Sequence, residues 1–127
     1  MPIARIPTLI RSFRRGEPVR MTSGDKVRDY LHVSDVASAV CAASLGGLAG
    51  AVNIGSGRPV TLREMTDKIA AMLGAANSAR FDALPDDPAD PAYVLADNRR
   101  LMACGWKPRY TLEAGLEQTV EWWKGQR

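Results

Sequence analysis

The stretch "AVNIGSGRPVTLREMTDKIAAMLG", residues 51–74, decides how the rest of the chain is read. Val52 and Ile54 form a short apolar run ended by Gly55 and Gly57, the pattern of a strand buried on both faces. A helix pattern follows at once. Thr61 and Glu64 have the spacing of a capping box, in which the two side chains satisfy free N–H groups at a helix start. Leu62, Met65, Ile69, Met72 and Leu73 then supply one apolar face before Gly74 closes the element. A buried strand feeding a helix implies an α/β arrangement. No other stretch reads as a strand buried on both sides, so a central strand here implies neighbours that the 127 residues do not supply.

Upstream, Ile6, Leu9, Ile10 and Phe13 fall at helical spacing, with Arg11, Arg14 and Arg15 off the stripe and Gly16 ending it. "EPVRMT" (17–22) and "VRDYLHV" (27–33) read as short strands around an "SGDK" turn. Ser34 or Asp35 is suited to cap the next helix, in which Val36, Val40 and the alanines are expected to pack until Gly46 and Gly47. Downstream, "SARFDAL" (78–84) is a candidate strand. "PDDPADPAY" (85–93), with three prolines and three aspartates, is expected to be an irregular surface loop. Two helices are expected to finish the chain, Asp97 to Cys104 and Thr111 to about Lys124, the second with Leu112, Leu116, Val120 and Trp123 on one face. There is no internal repeat.

Composition narrows the class. Hydrophobic residues make up 46% and charged residues 24%, as in a soluble globular domain. No apolar run approaches the ~20 residues that span a bilayer. Arg5, Pro7 and Arg11 break the start of the chain, so no signal peptide is read and a cytoplasmic location is expected. Cys41 and Cys104 lie far apart without a metal-binding neighbour, and both are expected to be buried and reduced. The net charge is +3. Its excess sits early, where Arg5, Arg11, Arg14, Arg15, Arg20, Lys26 and Arg28 meet only Glu17 and Asp25, so that half is able to face an anion. Nucleic acid is not the expected partner, because the charge is modest and no aromatic residues are interleaved with it.

Three local features invite chemical readings. Gly55-Ser56-Gly57 suggests a phosphate loop, since glycines let amides approach a phosphate. However, Val60 stands where a third glycine is needed, and no GxxxxGK[ST] exists, so a tight strand-to-helix turn is the favoured reading. His32 is the chain's only histidine. As a strand residue it would point opposite to Leu31 and Val33. Asp29 and Asp35 are candidate partners, but no nucleophile accompanies it, so it is expected to be a structural histidine bonded to backbone or carboxylate. Asp35 reads as a cap rather than a catalyst. Arg28 is equally able to form a surface ion pair with Asp29 or to offer its planar fork to a phosphate.

Taken together, "VRDYLHVSDVASAV" (27–40), "AVNIGSGRPVTLREMTDKIAAMLG" (51–74) and "LADNRRLMACGWKPRYTLEAGLEQTVEWW" (95–123) resemble, in order and spacing, the C-terminal half of NAD-dependent nucleotide-sugar epimerases and dehydratases. These are extended short-chain dehydrogenase/reductases, and the resemblance runs from about Ile6 to Trp123. It implies an α/β fold made of a C-terminal substrate-binding lobe plus the last strand and helices of a Rossmann-type sheet. The N-terminal dinucleotide-binding part is expected to be missing, so that residues 1–127 form one incomplete domain. It also implies that "VNIGSG" is a late strand of that sheet. Arg28 resembles the arginine that grips the diphosphate of the sugar nucleotide, and Tyr30 lies beside the same nucleotide. Val19 to Met21 resembles the segment against which the base rests. Asp90 matches an aspartate that contacts the ribose or its surroundings. By the same resemblance His32 is a fold residue.

Two departures stand out. Asp87 occupies a position where the family often has a second phosphate-binding arginine, which at ~4 Å and an effective dielectric near 20 exchanges an attraction of ~4 kcal/mol for a similar repulsion before screening. The family's catalytic Tyr-x-x-x-Lys is also absent: four residues after Tyr30, Tyr93 and Tyr110 stand Ser34, Asp97 and Ala114. With no glycine fingerprint for the dinucleotide, no NAD is expected to be held by this chain alone. The expected function is the nucleotide-sugar-binding portion of an NAD-dependent epimerase or dehydratase, inactive by itself. The alternative is an interaction module that self-associates, as a homodimer or domain-swapped form, or pairs with a separate Rossmann subunit through the exposed edge at "AVNIG".

Overall fold

The structure, a computed structural model, describes residues 6–126; Arg5 and the start of the chain lie outside the described residues. The chain order is α1 (Ile6–Arg14), β1 (Val19–Arg20), β2 (Val27–Asp29), α2 (Val33–Leu45), β3 (Pro59–Thr61), α3 (Leu62–Met72), β4 (Ala79–Arg80), α4 (Arg99–Ala103) and α5 (Leu112–Lys124). The α/β class expected from residues 51–74 holds.

Three helices make the main core. The apolar stripes of α1 (Leu9, Ile10, Phe13), α3 (Met65, Ile69, Ala70) and α5 (Leu116, Val120) meet one another and enclose Met21 and Val60. Each large side chain removed from water here contributes ~1.5–3 kcal/mol. The helix boundaries follow local chemistry: Thr61 Oγ1 accepts from Glu64 N, and Thr111 Oγ1 accepts from Ala114 N. A smaller cluster gathers Ala39 of α2, Leu101 of α4 and Trp106, with Leu31, Val52, Ile54 and Cys104 around it.

β1 and β2 lie on either side of the Ser23–Lys26 turn, as expected, but they do not pair with each other. β1 pairs in parallel with β4, Val19 opposite Ala79, whereas β2 pairs antiparallel with β3, Arg28 opposite Val60. Between them the chain turns at Gly24, whose φ of +76° and contacts with Phe81 and Arg63 leave no room for a side chain. Gly24 O and Lys26 O then accept from Arg63 N and Leu62 N, which locks the crossing to the start of α3.

Residues 52–54 are not a strand. They pack Val52 and Ile54 on the smaller cluster, but among the described residues no backbone hydrogen bond joins them to another segment. A parallel strand exists only through its neighbours, and the described residues provide none.

Four further expectations are corrected around α2. Its N-cap is His32, whose Nδ1 accepts from Ser34 N at 3.1 Å; neither Ser34 nor Asp35 caps it. His32 is therefore not a strand residue, although it is backbone-bonded as expected, and it stacks on Tyr110 with ring centroids 4.2 Å apart. Val36 and Val40 do not pack: they are 37% and 51% exposed, and Val33 at the same face is 75% exposed. Cys41 shares that outward face and is exposed, and Cys104 is half-buried, so neither thiol is a core residue. Cys104 Sγ donates to Leu101 O instead.

Candidate functional site

β2 presents alternate side chains to opposite sides. On one side Asp29 turns inward and gathers four donors: Ser56 N and Ser56 Oγ at 2.7 Å, Gly57 N at 2.9 Å and Ala96 N at 3.3 Å. The amides of the glycine turn thus hold an anion, and it is the chain's own carboxylate. Gly55 is required at this point, because a Cβ there would meet Ala96 Cβ and lie 2.9 Å from Asp29 Oδ2.

On the other side Arg28 and Lys26 converge on the loop 85–93. Arg28 Nη2 donates to Asp90 Oδ1 at 2.7 Å, while its Nη1 donates to Val27 O and Pro91 O. Lys26 Nζ donates to Asp90 Oδ2 at 3.0 Å and to the carbonyls of Asp87 and Asp90. One carboxylate therefore bridges two cations. The hydrogen bond from Lys26, reinforced by the charges of Arg28 and Lys26, holds the Asp90 carboxyl below its ordinary value of 3.8. Ionised Asp90 thus adds stability above that ordinary value, and the contribution is lost as pH falls through the lowered one. The pairing of Arg28 with Asp29 weighed from sequence does not occur.

Of the residues expected at the site, Arg28 and Asp90 are brought into contact. Tyr30, two residues along, packs against the main core and lines a cavity of about 300 Å³ together with His32, Tyr110 and Leu116. Burial pushes its phenol up, with Arg28 pulling the other way. Val19 and Met21 belong to the other sheet. Val19 is half-buried, whereas Met21 is 2% exposed in the core. Met21 N donates to Arg80 O, and Met21 O accepts from Ala83 N and Leu84 N, so its backbone is also spent. Asp87 turns its carboxylate to Ala89 N at 2.8 Å, which ties up within its own loop the charge that stands at the arginine position.

Two participants were missed from sequence. Lys26 precedes Arg28 by two positions, so the period of a strand places both on one side. Asp29 was weighed only as a partner for Arg28 or His32, although a carboxylate near a glycine turn is a natural receptor for its amides.

The resident group of the resembling family, a nicotinamide dinucleotide, does not fit the described residues. The one glycine turn that could cradle a pyrophosphate has the amides of Ser56 and Gly57 committed to Asp29. Among the described residues there is also no cluster of three His, Cys, Asp or Glu side chains able to hold a metal ion. No helix among them is long and apolar enough to cross a membrane.

The family model for GDP-mannose 4,6 dehydratase matches residues 1–119. The chain belongs to that family of NAD-dependent nucleotide-sugar dehydratases and epimerases. It is 33% identical over 126 residues to GDP-L-fucose synthase 1 of Arabidopsis thaliana, covering 93% of this chain and 38% of that protein. Among solved structures, dTDP-glucose 4,6-dehydratase from Bacillus anthracis in complex with NAD superposes with a TM-score of 0.85 at 27% identity, over 95% of this chain and 39% of that one. UDP-glucose 4-epimerase from Thermotoga maritima with UDP-glucose superposes with a TM-score of 0.79 at 27% identity, over 94% of this chain and 38% of that one. The chain thus spans about two-fifths of the length of the relatives it matches, which agrees with its reading as the C-terminal part of such a fold.

Proposed function

We propose that this chain is the nucleoside-diphosphate-sugar-binding portion of an NAD-dependent sugar epimerase or dehydratase, with residues 1–127 acting as one incomplete domain. Arg28 holds the diphosphate, Tyr30 lies beside the nucleotide, and Asp90 stands near the ribose. The segment Val19 to Met21 backs the base, Met21 from within the core. The observation that carries this reading is the guanidinium of Arg28 at the edge of β2 with Lys26 beside it, their side chains 25% and 17% exposed. An arginine fork matched to two oxygens is the chemistry a diphosphate requires. The sugar class rests on the relatives, one of which is solved with UDP-glucose. Without Tyr-x-x-x-Lys or a dinucleotide fingerprint, the chain alone transfers neither hydride nor proton, and the cytoplasm is its proposed setting.

Calorimetric titration with UDP-, dTDP-, CDP- and GDP-sugars tests the reading. Binding of one of them in the micromolar to millimolar range is expected, and Arg28→Ala is expected to weaken it about tenfold or more, the loss of one charge-assisted contact of ~1.5–3 kcal/mol. Binding by none of the four at millimolar concentration, or affinity unchanged in Arg28→Ala, removes the proposal.

A second reading is favoured by one observation. The outer face of α2 carries Val33, Val36 and Val40 in the open, with no charged side chain among Ala37, Cys41 and Ser44 on the same face. Among the described residues, 52–54 leave their backbone without a backbone partner, close to α2 in sequence. Such surfaces are usually covered by another chain or domain. The chain is therefore also proposed to self-associate or to pair with a separate Rossmann subunit. Sedimentation velocity over a hundredfold range of concentration is expected to show a dimer, and a compact monomer throughout would remove self-association.

A further inference from the structure

We infer that, without ligand, Asp90 occupies the phosphate position of its own binding site, and that Lys26 is the second cation a diphosphate meets once Asp90 moves off toward the ribose. This rests on the proposed role of Arg28 and deepens it. The carboxylate of Asp90 spans Arg28 Nη2 at 2.7 Å and Lys26 Nζ at 3.0 Å, the arrangement two phosphate oxygens would adopt between the same donors. The cluster of Lys26, Arg28 and Asp90 carries a net charge of +1 as it stands and +2 when Asp90 is withdrawn. A diphosphate brings more negative charge than one carboxylate, so the exchange favours the ligand electrostatically.

Lys26 also answers the problem raised by Asp87. A carboxylate stands at the second arginine position in this chain, but it is turned to Ala89 N, and a different element supplies a second positive group. The exchange moves more than one side chain. Arg28 also holds Pro91 O, and Lys26 the carbonyls of Asp87 and Asp90, so a diphosphate that takes over both cations releases residues 87–91, while Val27 N on Ala92 O and Val94 N on Val27 O keep the end of the loop on β2. Ligand entry and loop release are therefore one event. Protonation does not open the gate near neutrality, because an aspartate of ordinary value 3.8 is already ionised there and Lys26 and Arg28 lower it further.

The test is calorimetric titration of the full chain with inorganic pyrophosphate, which has no ribose or base. Asp90→Asn keeps the shape of the side chain and removes the competing charge, and it is expected to raise pyrophosphate affinity about fivefold, the size of a half-exposed ion pair. Lys26→Met is expected to lower affinity by a similar factor, and the double variant is expected to lie near the parent. A second measurement needs no substitution: proteolysis of the parent chain within residues 85–92 is expected to accelerate as pyrophosphate is added. Equal or weaker pyrophosphate binding by Asp90→Asn, with loop cleavage unchanged in the parent, overturns the gate. If Arg28→Ala still weakens nucleotide-sugar binding about tenfold or more in that case, the proposed function survives the loss. Absence of binding of both pyrophosphate and nucleotide sugars in parent and Asp90→Asn removes the two together.

Discussion

Alanine at position 29 is expected to cost the fold about 3 kcal/mol, read as a fall in melting temperature of roughly 10 °C, an effect larger than loss of any exposed ion pair in the chain. Four donors converge on the Asp29 carboxylate between 2.7 and 3.3 Å. Hydrogen bonds to a charged acceptor are individually worth ~1.5–3 kcal/mol, but they share one acceptor and the Gly57 amide is exposed to water, so the sum falls well short of four full bonds. The loss is concentrated at Ser56 N and Ala96 N, which are partly buried and have no substitute acceptor among the described residues. The Asp29→Asn variant is expected to lie between parent and alanine, since the single carbonyl oxygen of its amide serves Ser56 while the NH2 faces Gly57 N and Ala96 N. Thermal and urea melts of the parent, Asp29→Asn and Asp29→Ala decide this. If alanine melts within about 2–3 °C of the parent, on the scale of a ~0.5–1 kcal/mol change, water has replaced the carboxylate and Asp29 is no hub. Loss of Asp29 is also expected to weaken nucleotide-sugar binding, because the same contacts hold β2 against the 55–57 turn and thereby fix Arg28 on the opposite side.

What could be read from the sequence divides along physical lines. The three core helices were legible because their signals are local: a 3.6-residue stripe in α1, α3 and α5, and a threonine at the start of each of the last two whose side chain accepts from the residue three positions on. The family was legible because three segments keep their order and spacing. Strand partners were not, since "EPVRMT" and "VRDYLHV" have the same β-forming composition whichever neighbour they choose, and the choice is made by Gly24 and the start of α3. The reading of Val52–Ile54 as a central strand took the residues correctly as apolar and sheet-like, but a ladder depends on chains beside it. α2 failed for a related reason: valines at helical spacing read alike whether or not the described residues cover them, and here Val33, Val36 and Val40 stay exposed. At the site, Arg28 and Asp90 were singled out separately on the family's pattern, and their pairing across 62 positions carries no local signal. Asp35 shows the opposite error. Its position at a helix start suggested a cap, and its carboxylate instead faces inward.

That inward carboxylate sets the second large effect, because Asp35→Ala is expected to destabilise the chain by about 3 kcal/mol. Asp35 is 2% exposed, and its oxygens accept from Arg109 N at 2.8 Å and Tyr110 N at 3.0 Å. Among the described residues it has no cationic partner, so two amides and the positive end of α2, in whose first turn it sits, stabilise the buried charge. Alanine relieves the cost of burying that charge but leaves two backbone N–H groups without an acceptor, and the second consequence dominates because those groups cannot be neutralised or turned to solvent. The damage is expected to spread in a defined direction. Tyr110 stacks on His32, the N-cap of α2, and Thr111 caps α5, so slack at 109–110 loosens both helix starts at once. Ser38→Ala, which removes the acceptor for Trp106 Nε1 at 2.9 Å and the hydroxyl that donates to Asp35 O at 3.0 Å but leaves the Asp35 carboxylate on its two amides, is expected to cost about 1 kcal/mol and serves as the local control. Amide hydrogen exchange in Asp35→Ala is expected to accelerate at Arg109, Tyr110, Ala114 and Ser34 together, while the α1–α3 interface keeps its protection relative to the new global stability. Fast exchange confined to Arg109 and Tyr110, with the melt unchanged, would mean that Asp35 satisfies two amides and ties nothing together.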